Sequence, residues 1–251
     1  MERKNDLALG RREALYRLGS VVAVGFLVGC GGDDNAVTGS TSTGSTTSTT
    51  TPASTNAQCV VTPALTEGPY FVDEHLNRSD IRADPTTGVV RPGVLLTLGV
   101  ALSQVSSAGA CTPMAGALVD VWHCDALGTY SDVQGAIGQK FLRGYQVTDA
   151  SGLAQFITIY PGWYTGRAVH IHFKVRTNAS GSSGLEFTSQ MFFDEALTDI
   201  VHAEAPYNTK GHRDTTLASD SIYQSGGSSL LVPLSASGGG YAGTLNVGVR
   251  V

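Results

Sequence analysis

From about residue 58 onward, short apolar runs alternate with clusters of Gly, Pro, Asp and Asn that recur every eight to fifteen residues. The runs are rich in β-branched and aromatic residues: VLLTLGVAL (94–102), GALVDVWHC (116–124), AQFITIY (154–160), VHIHFKVR (169–176), SQMFFD (189–194), SLLVPLSA (229–236) and YAGTLNVGVRV (241–251). Several alternate with period two, which puts Val119, Val121 and His123 on one face of a strand and Asp120, Trp122 and Cys124 on the other. The stretch DASG (149–152) reads as a turn between two strands. Helical periodicity is confined to EALTDIVHAEAP (195–206), and no internal repeat is visible. The pattern predicts an all-β fold in which residues 58–251 form a single β-sandwich domain with long loops.

The first 57 residues follow a different pattern. Arg3, Lys4, Arg11, Arg12 and Arg17 precede an apolar run, VVAVGFLVG (21–29), that is far shorter than the roughly 20 residues a membrane-spanning helix needs. The run ends in LVGC (27–30), which resembles a bacterial lipobox with Cys30 as the lipidated residue, and Arg11-Arg12 followed by Leu15 resembles a twin-arginine export signal. Residues 1–30 therefore read as a signal peptide. Residues 31–57, rich in Ser, Thr and Gly and without an aromatic residue, read as a disordered tether. A flexible coil of that length spans about 30 Å. The expectation is an exported protein, anchored at the periplasmic or extracellular face of a bacterial envelope, that touches membrane only through a lipid on Cys30.

Composition narrows the function classes. Only 15% of the 251 residues are charged, which is ordinary for an extracytoplasmic β-rich domain. The net charge is −5, and beyond residue 30 eleven basic residues face eighteen acidic ones. No basic stripe is present, which excludes nucleic acid as a partner. Of the remaining cysteines, Cys111 and Cys124 flank one apolar strand, so Cys59 with Cys111 is the favoured disulfide in an oxidising compartment.

The densest chemistry lies in YPGWYTGRAVHIHF (160–173). On a strand, His170 and His172 share a face roughly 7 Å apart, close enough to meet one metal ion. The same pair also suits a plain solvent-facing edge, and zinc sites use it too. Its neighbours extend the possibilities. Tyr164 precedes His170 across the Pro161-Gly162 turn, Arg167 lies three residues before it, and a turn at 125–128 delivers Tyr130 just past a strand end. Loops held by a rigid sheet commonly carry function. Phenolate with imidazole favours a hard trivalent ion such as Fe(III) over Zn(II) or Cu(I). Other polar residues have plainer readings. His123 and the adjacent Cys124 point to opposite faces and cannot share an ion, and His123 fits a core position. His75, His202 and His212 read as surface, Trp122 and Trp163 as packing, and Glu67 and Tyr70 as support for the site. Asp120 and Asp125 either orient ligands or cap turns. No phosphate loop and no nucleophile elbow is present.

The runs GALVDVWHCDALGTYS (116–131), FLRGYQVTDASGLAQFITIYPGWYTGRAVHIHFKV (141–175) and TPALTEGPYF (62–71) resemble the intradiol ring-cleavage dioxygenases, over about residues 59–250. That resemblance implies a β-sandwich of mixed topology. It implies Fe(III) held by Tyr130, Tyr164, His170 and His172, with Tyr164 and His172 axial. It also implies catalytic roles for Arg167, Tyr164 and Gln190, a catechol-type substrate, O2, and a muconate-type diacid product. Tyr160 falls at a non-ligand position. Only TGRAV separates Tyr164 from His170, less than the catechol and protocatechuate enzymes carry, which predicts a more open pocket. The linker helices that dimerise catechol enzymes have no counterpart, so homo-oligomer formation stays open. Two other readings compete: a non-catalytic sandwich that binds catechols or metal near a membrane, and a zinc hydrolase built on HIH.

Overall fold

β1 (Leu95–Val105) places Leu96, Leu98, Val100 and Leu102 on one face, all buried. At 11 residues it is long enough to pair along one edge with two strands in succession. These are β5 (Leu153–Ile159), opposite Leu95 to Ala101, and β2 (Cys111–Pro113), opposite Ser103 to Val105. Its other edge pairs in parallel with β9 (Gly240–Val249), which in turn pairs antiparallel with β8 (Leu234–Ser237). The second sheet is antiparallel throughout, in the order β4 (Arg143–Val147), β3 (Leu118–Trp122), β6 (His170–Arg176), β7 (Glu186–Phe192). The result is a two-sheet sandwich of mixed topology. It is seen in a computed structural model that describes residues 60–133, 135–178 and 184–250, all within the compact unit Pro52–Val251. The predicted signal peptide (1–30), tether (31–57) and Cys59 lie outside the described residues. Cys111 is disulfide-bonded, and Cys124 is a free, buried thiol.

The core is built from the facing sides of the two sheets. Val119 and Val121 of β3, Ile171, Phe173 and Val175 of β6, and Met191 of β7 meet the β1 leucines, Phe156 of β5 and Leu245 and Val247 of β9. Burying each large side chain of this kind contributes about 1.5–3 kcal/mol.

β6 is buried on both faces along its whole length. Alternation sends Ile171, Phe173 and Val175 to the core, so His170, His172, Lys174 and Arg176 stand together on the outer face, all with little exposure. A belt formed by residues 62–81 crosses that face from strand to strand. Thr62 bonds to Gly248 of β9, Leu65 N–H donates to Thr188 of β7 (3.1 Å), Phe71 packs on Trp122 of β3 (4.8 Å), and Arg78 N–H donates to Tyr145 of β4 (3.1 Å). The charges so covered are paired. Arg176 grips Asp120 through Nε and Nη2 (3.1 and 2.8 Å to Oδ2) and Asp73 through Nη1 (2.6 Å), and Lys174 pairs with Glu67 and Glu186. Asp120 is thus an ion-pair partner, whereas Asp125 caps a turn.

After β7 the chain forms α1 (Glu195–His202), capped by the Asp194 side chain, and α2 (Ser221–Gln224), capped by Asp220. The helix predicted over 195–206 ends at His202, short of Pro206, whose ring cannot continue it. The strand predicted over 229–236 is a 3-10 turn, Gly227–Leu230, followed by the shorter β8. Among the described residues no helix is long and apolar enough to cross a membrane.

Candidate active site

Strand register assembles the first part of the site. Trp122, His172 and Gln190 are direct neighbours across β3, β6 and β7, and Arg143 of β4 stands opposite Trp122. Trp122 stacks flat on the His172 ring, 4.9 Å away at 10°, which fixes that imidazole. His170 is fixed differently. Its Nδ1–H donates to the Ala168 carbonyl (2.6 Å), so Nε2 presents its lone pair to the site.

Two loops carry the phenols. After β3 the chain turns at Asp125, whose carboxylate accepts from Leu127 N–H and Thr129 N–H (both 3.0 Å). Gly128, at φ 82°, lies so close to the second loop that a Cβ there would sit 2.2 Å from the Trp163 carbonyl oxygen. Just beyond, Arg143 donates to the Ser131 carbonyl (2.6 Å) and hydroxyl (2.9 Å), which pins the residue after Tyr130. The second loop begins at Pro161-Gly162. A Cβ on Gly162 would meet the Ala126 carbonyl oxygen at 2.4 Å, so only glycine allows this approach. Lys210 Nζ stitches the two loops by donating to the carbonyls of Leu127 (2.8 Å) and Trp163 (2.6 Å). The Tyr130 and Tyr164 rings consequently lie 5.7 Å apart at 73°, and Tyr70, from the belt, stacks on Tyr130 at 4.5 Å.

The donor atoms converge. His170 Nε2 is 3.0 Å from His172 Nε2 and 3.2 Å from Tyr164 Oη, and the Tyr130 ring stands 6.2 Å from that of His172. The Tyr130 hydroxyl is buried with no well-formed hydrogen bond, and only the Tyr164 phenol lies within reach of it. An orphaned buried hydroxyl costs about 1–3 kcal/mol, so its retention needs a reason. Burial pushes the Tyr130 phenol well above its ordinary pKa and lifts Tyr164 to about 12. Burial, with the Arg167 charge, drops His170 to about 3, and burial with its histidine and arginine neighbours holds His172 well below its ordinary range. Both imidazoles are thus neutral lone-pair donors. Two nitrogens about 3 Å apart match adjacent positions around an ion bonded at about 2.1 Å. Among the described residues no three His, Cys, Asp or Glu side chains gather around one point, so the phenols are what complete a four-donor set. Hard phenol oxygens with imidazole nitrogens suit ferric iron.

Behind the histidines, Arg167 Nη2 donates to Gln190 Oε1 (2.5 Å) and Arg167 Nε to Asp220 (2.9 Å), while Gln190 Nε2 donates to the Thr66 carbonyl (2.7 Å). A cavity of about 210 Å³ opens beside the phenols, lined by Tyr70, Gly128, Thr129, Tyr130, Val133 and Tyr164. The Tyr70 ring forms one wall of it. A larger cavity of about 630 Å³ beside α1 gathers no comparable donor set.

A family profile described as a dioxygenase matches residues 66–168, a span that includes Tyr130, Tyr164 and most of the belt. An intradiol ring-cleavage dioxygenase from Tetranychus urticae superimposes with a TM-score of 0.67 at 28% identity, over 76% of this chain and 95% of that one. The chain is similar to intradiol ring-cleavage dioxygenases in both comparisons. The dioxygenase domain of a carbohydrate-binding fusion protein from Streptomyces sp. SirexAA-E also matches, at 28% identity and a TM-score of 0.52, over 76% of this chain and 99% of that domain. Chlorocatechol 1,2-dioxygenase from Pseudomonas putida is 29% identical over 166 residues, which are 57% of this chain and 59% of the relative. The chain therefore spans about three fifths of the length of that curated relative.

All six residues singled out from sequence lie in one neighbourhood. Tyr160 stays apart, hydrogen-bonded to Thr198 (2.7 Å). His123 is a core residue, bonded to Thr158 Oγ1 (2.7 Å) and the Cys124 carbonyl (2.8 Å). His75 and His212 are exposed as expected, but His202 is not a surface residue. It is half-buried, stacks on Tyr207 at 5.0 Å and bonds to the Pro161 carbonyl (3.0 Å), because α1 packs that side inward. Trp163 packs under Lys210. Sequence reasoning missed Arg143, Lys210 and Asp220. Each acts on a loop distant in sequence, and no spacing signals such a bond.

Proposed function

We propose that this chain binds ferric iron through Tyr130, Tyr164, His170 and His172 and opens a catechol ring between its two hydroxyl-bearing carbons with O2. Both oxygen atoms enter the product, a muconate-type diacid; O2 takes up four electrons and the ring supplies them. The observation that carries this reading is the convergence of two phenol oxygens and two neutral imidazole nitrogens at one buried point, with the Tyr130 hydroxyl otherwise unpartnered. When bound, ferric iron would supply the Lewis acidity that draws in a catechol as its dianion and the redox access that couples the ring to O2. The chain's own residues divide the remaining work. His170 Nε2 lies next to both Tyr164 and His172, so the three would hold the ion together. Tyr130, buried to all but 4% and stacked on by Tyr70, is a fixed donor. Tyr164 is half-buried and lines the cavity, so its Oη stands where it can take a substrate hydroxyl proton. Arg167 supplies a fixed positive charge for the electron-rich ring. Tyr70, Thr129 and Val133 wall the cavity with no charged side chain, which favours a single-ring catechol with uncharged substituents.

The test is oxygen consumption by the iron-loaded protein against a panel of neutral and carboxylated catechols, with product identified by mass and ultraviolet spectrum. We expect stoichiometric O2 uptake, a ring-opened diacid and faster turnover of the neutral members. Iron binding without any ring-opened product would favour the non-catalytic module, and cleavage beside the hydroxyls would overturn the intradiol reading.

A further inference from the structure

Asp220 is a buried carboxylate, 1% exposed, in the turn before α2 and 53 residues from Arg167. Both its oxygens are engaged. Oδ1 caps α2, accepting from Ile222 N–H (2.7 Å) and Tyr223 N–H (3.2 Å). Oδ2 accepts from Arg167 Nε–H (2.9 Å) and from Ala168 N–H (2.8 Å). A helix cap needs only one acceptor oxygen, and asparagine or serine serves as well. The second oxygen is aimed away from the helix at the one arginine that stands behind the histidine pair. Because four donors hold the group, it cannot rotate without losing two of them. Arg167 is then held from two sides, by Asp220 at Nε and by Gln190 at Nη2, and among the described residues no partner takes Nη1.

We infer that Asp220 is a positioning residue that sets the guanidinium plane of Arg167 for the reaction. The inference rests on the reading of the site given above. Asp220→Asn separates the two duties of this carboxylate. Its amide oxygen still caps α2, whereas its NH2 meets the Arg167 and Ala168 N–H groups donor to donor. The guanidinium is then free to swing, and misplacement of a catalytic group by about 1 Å costs up to roughly 100-fold in rate.

The experiment is a double-mutant cycle of Asp220→Asn with Arg167→Ala in the iron-loaded full chain, read as kcat for catechol, iron content and visible spectrum. Asp220→Asn alone should keep its iron and its visible band and lose about 10- to 100-fold in kcat. In the Arg167→Ala background the same change should alter kcat by less than about twofold, because its target is gone. An equal loss in both backgrounds, or loss of iron with Asp220→Asn alone, would overturn the inference. Should the wild-type protein open no catechol, the reading of the site fails instead. The same cycle, read as thermal midpoints of the metal-free protein, then decides the pair: non-additive shifts uphold the Asp220–Arg167 link and additive shifts refute it.

Discussion

At the scale of single residues, the site stands out by what its groups lack. A buried phenol without a well-formed hydrogen bond is a cost that packing alone does not justify, and Tyr130 carries one. Replacing it by Phe should therefore leave the metal-free protein as stable as wild type or stabilise it by up to about 1 kcal/mol, measured by urea unfolding. The opposite result, a loss of several kcal/mol, would mean that the hydroxyl has a structural partner. His123 gives a separate test. Burial, opposed by its bond to the Cys124 carbonyl, lowers its pKa to about 4, against about 6.5 in the unfolded chain. Below pH 6.5 the unfolded chain takes up a proton that the folded chain refuses until about pH 4, so this part of the stability is present above 6.5 and lost as pH falls through that window. His123→Gln should flatten the fall of thermal midpoint between pH 6.5 and 4, and an unchanged slope would sink the assignment. The residues legible in sequence were those with rare chemistry at short spacing: Tyr164, Arg167, His170 and His172 fall within nine positions. Arg143, Lys210 and Asp220 were not, because their contribution is a bond to a distant backbone or side chain.

At the scale of elements, period two was the reliable signal. HIHFKVR splits cleanly into Ile, Phe and Val for the core and His, His, Lys and Arg for the other face. That the polar face would also be buried could not be read from it, because the belt of residues 62–81 that covers it has no periodicity of its own. β2, three exposed residues, and β4, which opens with Arg-Gly, were likewise not predicted from the apolar runs. The buried charges beneath the belt give this scale its test. Arg176→Ala strands Asp120 and should cost about 3–5 kcal/mol in urea unfolding, whereas Arg176→Met with Asp120→Leu should recover most of the loss. A loss below about 0.5 kcal/mol for the single variant, as for a solvated surface pair, would contradict the burial described.

At the scale of the whole molecule, fold class was legible because strand length, turn spacing and the near absence of helical periodicity all agreed. The parallel pairing of β1 with β9 was not, since it joins strands far apart in the chain, and mixed topology came only from the family resemblance. The sandwich serves the site in a definite way. Its second sheet sets the histidines in register with Trp122 and Gln190, and the loops at one sheet end bring two phenols over them, locked by close approaches at Gly128 and Gly162. The central claim is that these four donors share one ferric ion. The most direct measurement is the visible absorption spectrum of the purified chain loaded with ferric iron, compared with Tyr130→Phe and Tyr164→Phe. A broad phenolate-to-iron band, weakened and displaced in each variant, is the predicted result; a chain that binds one iron per molecule yet shows no such band, or whose band ignores both substitutions, would contradict it.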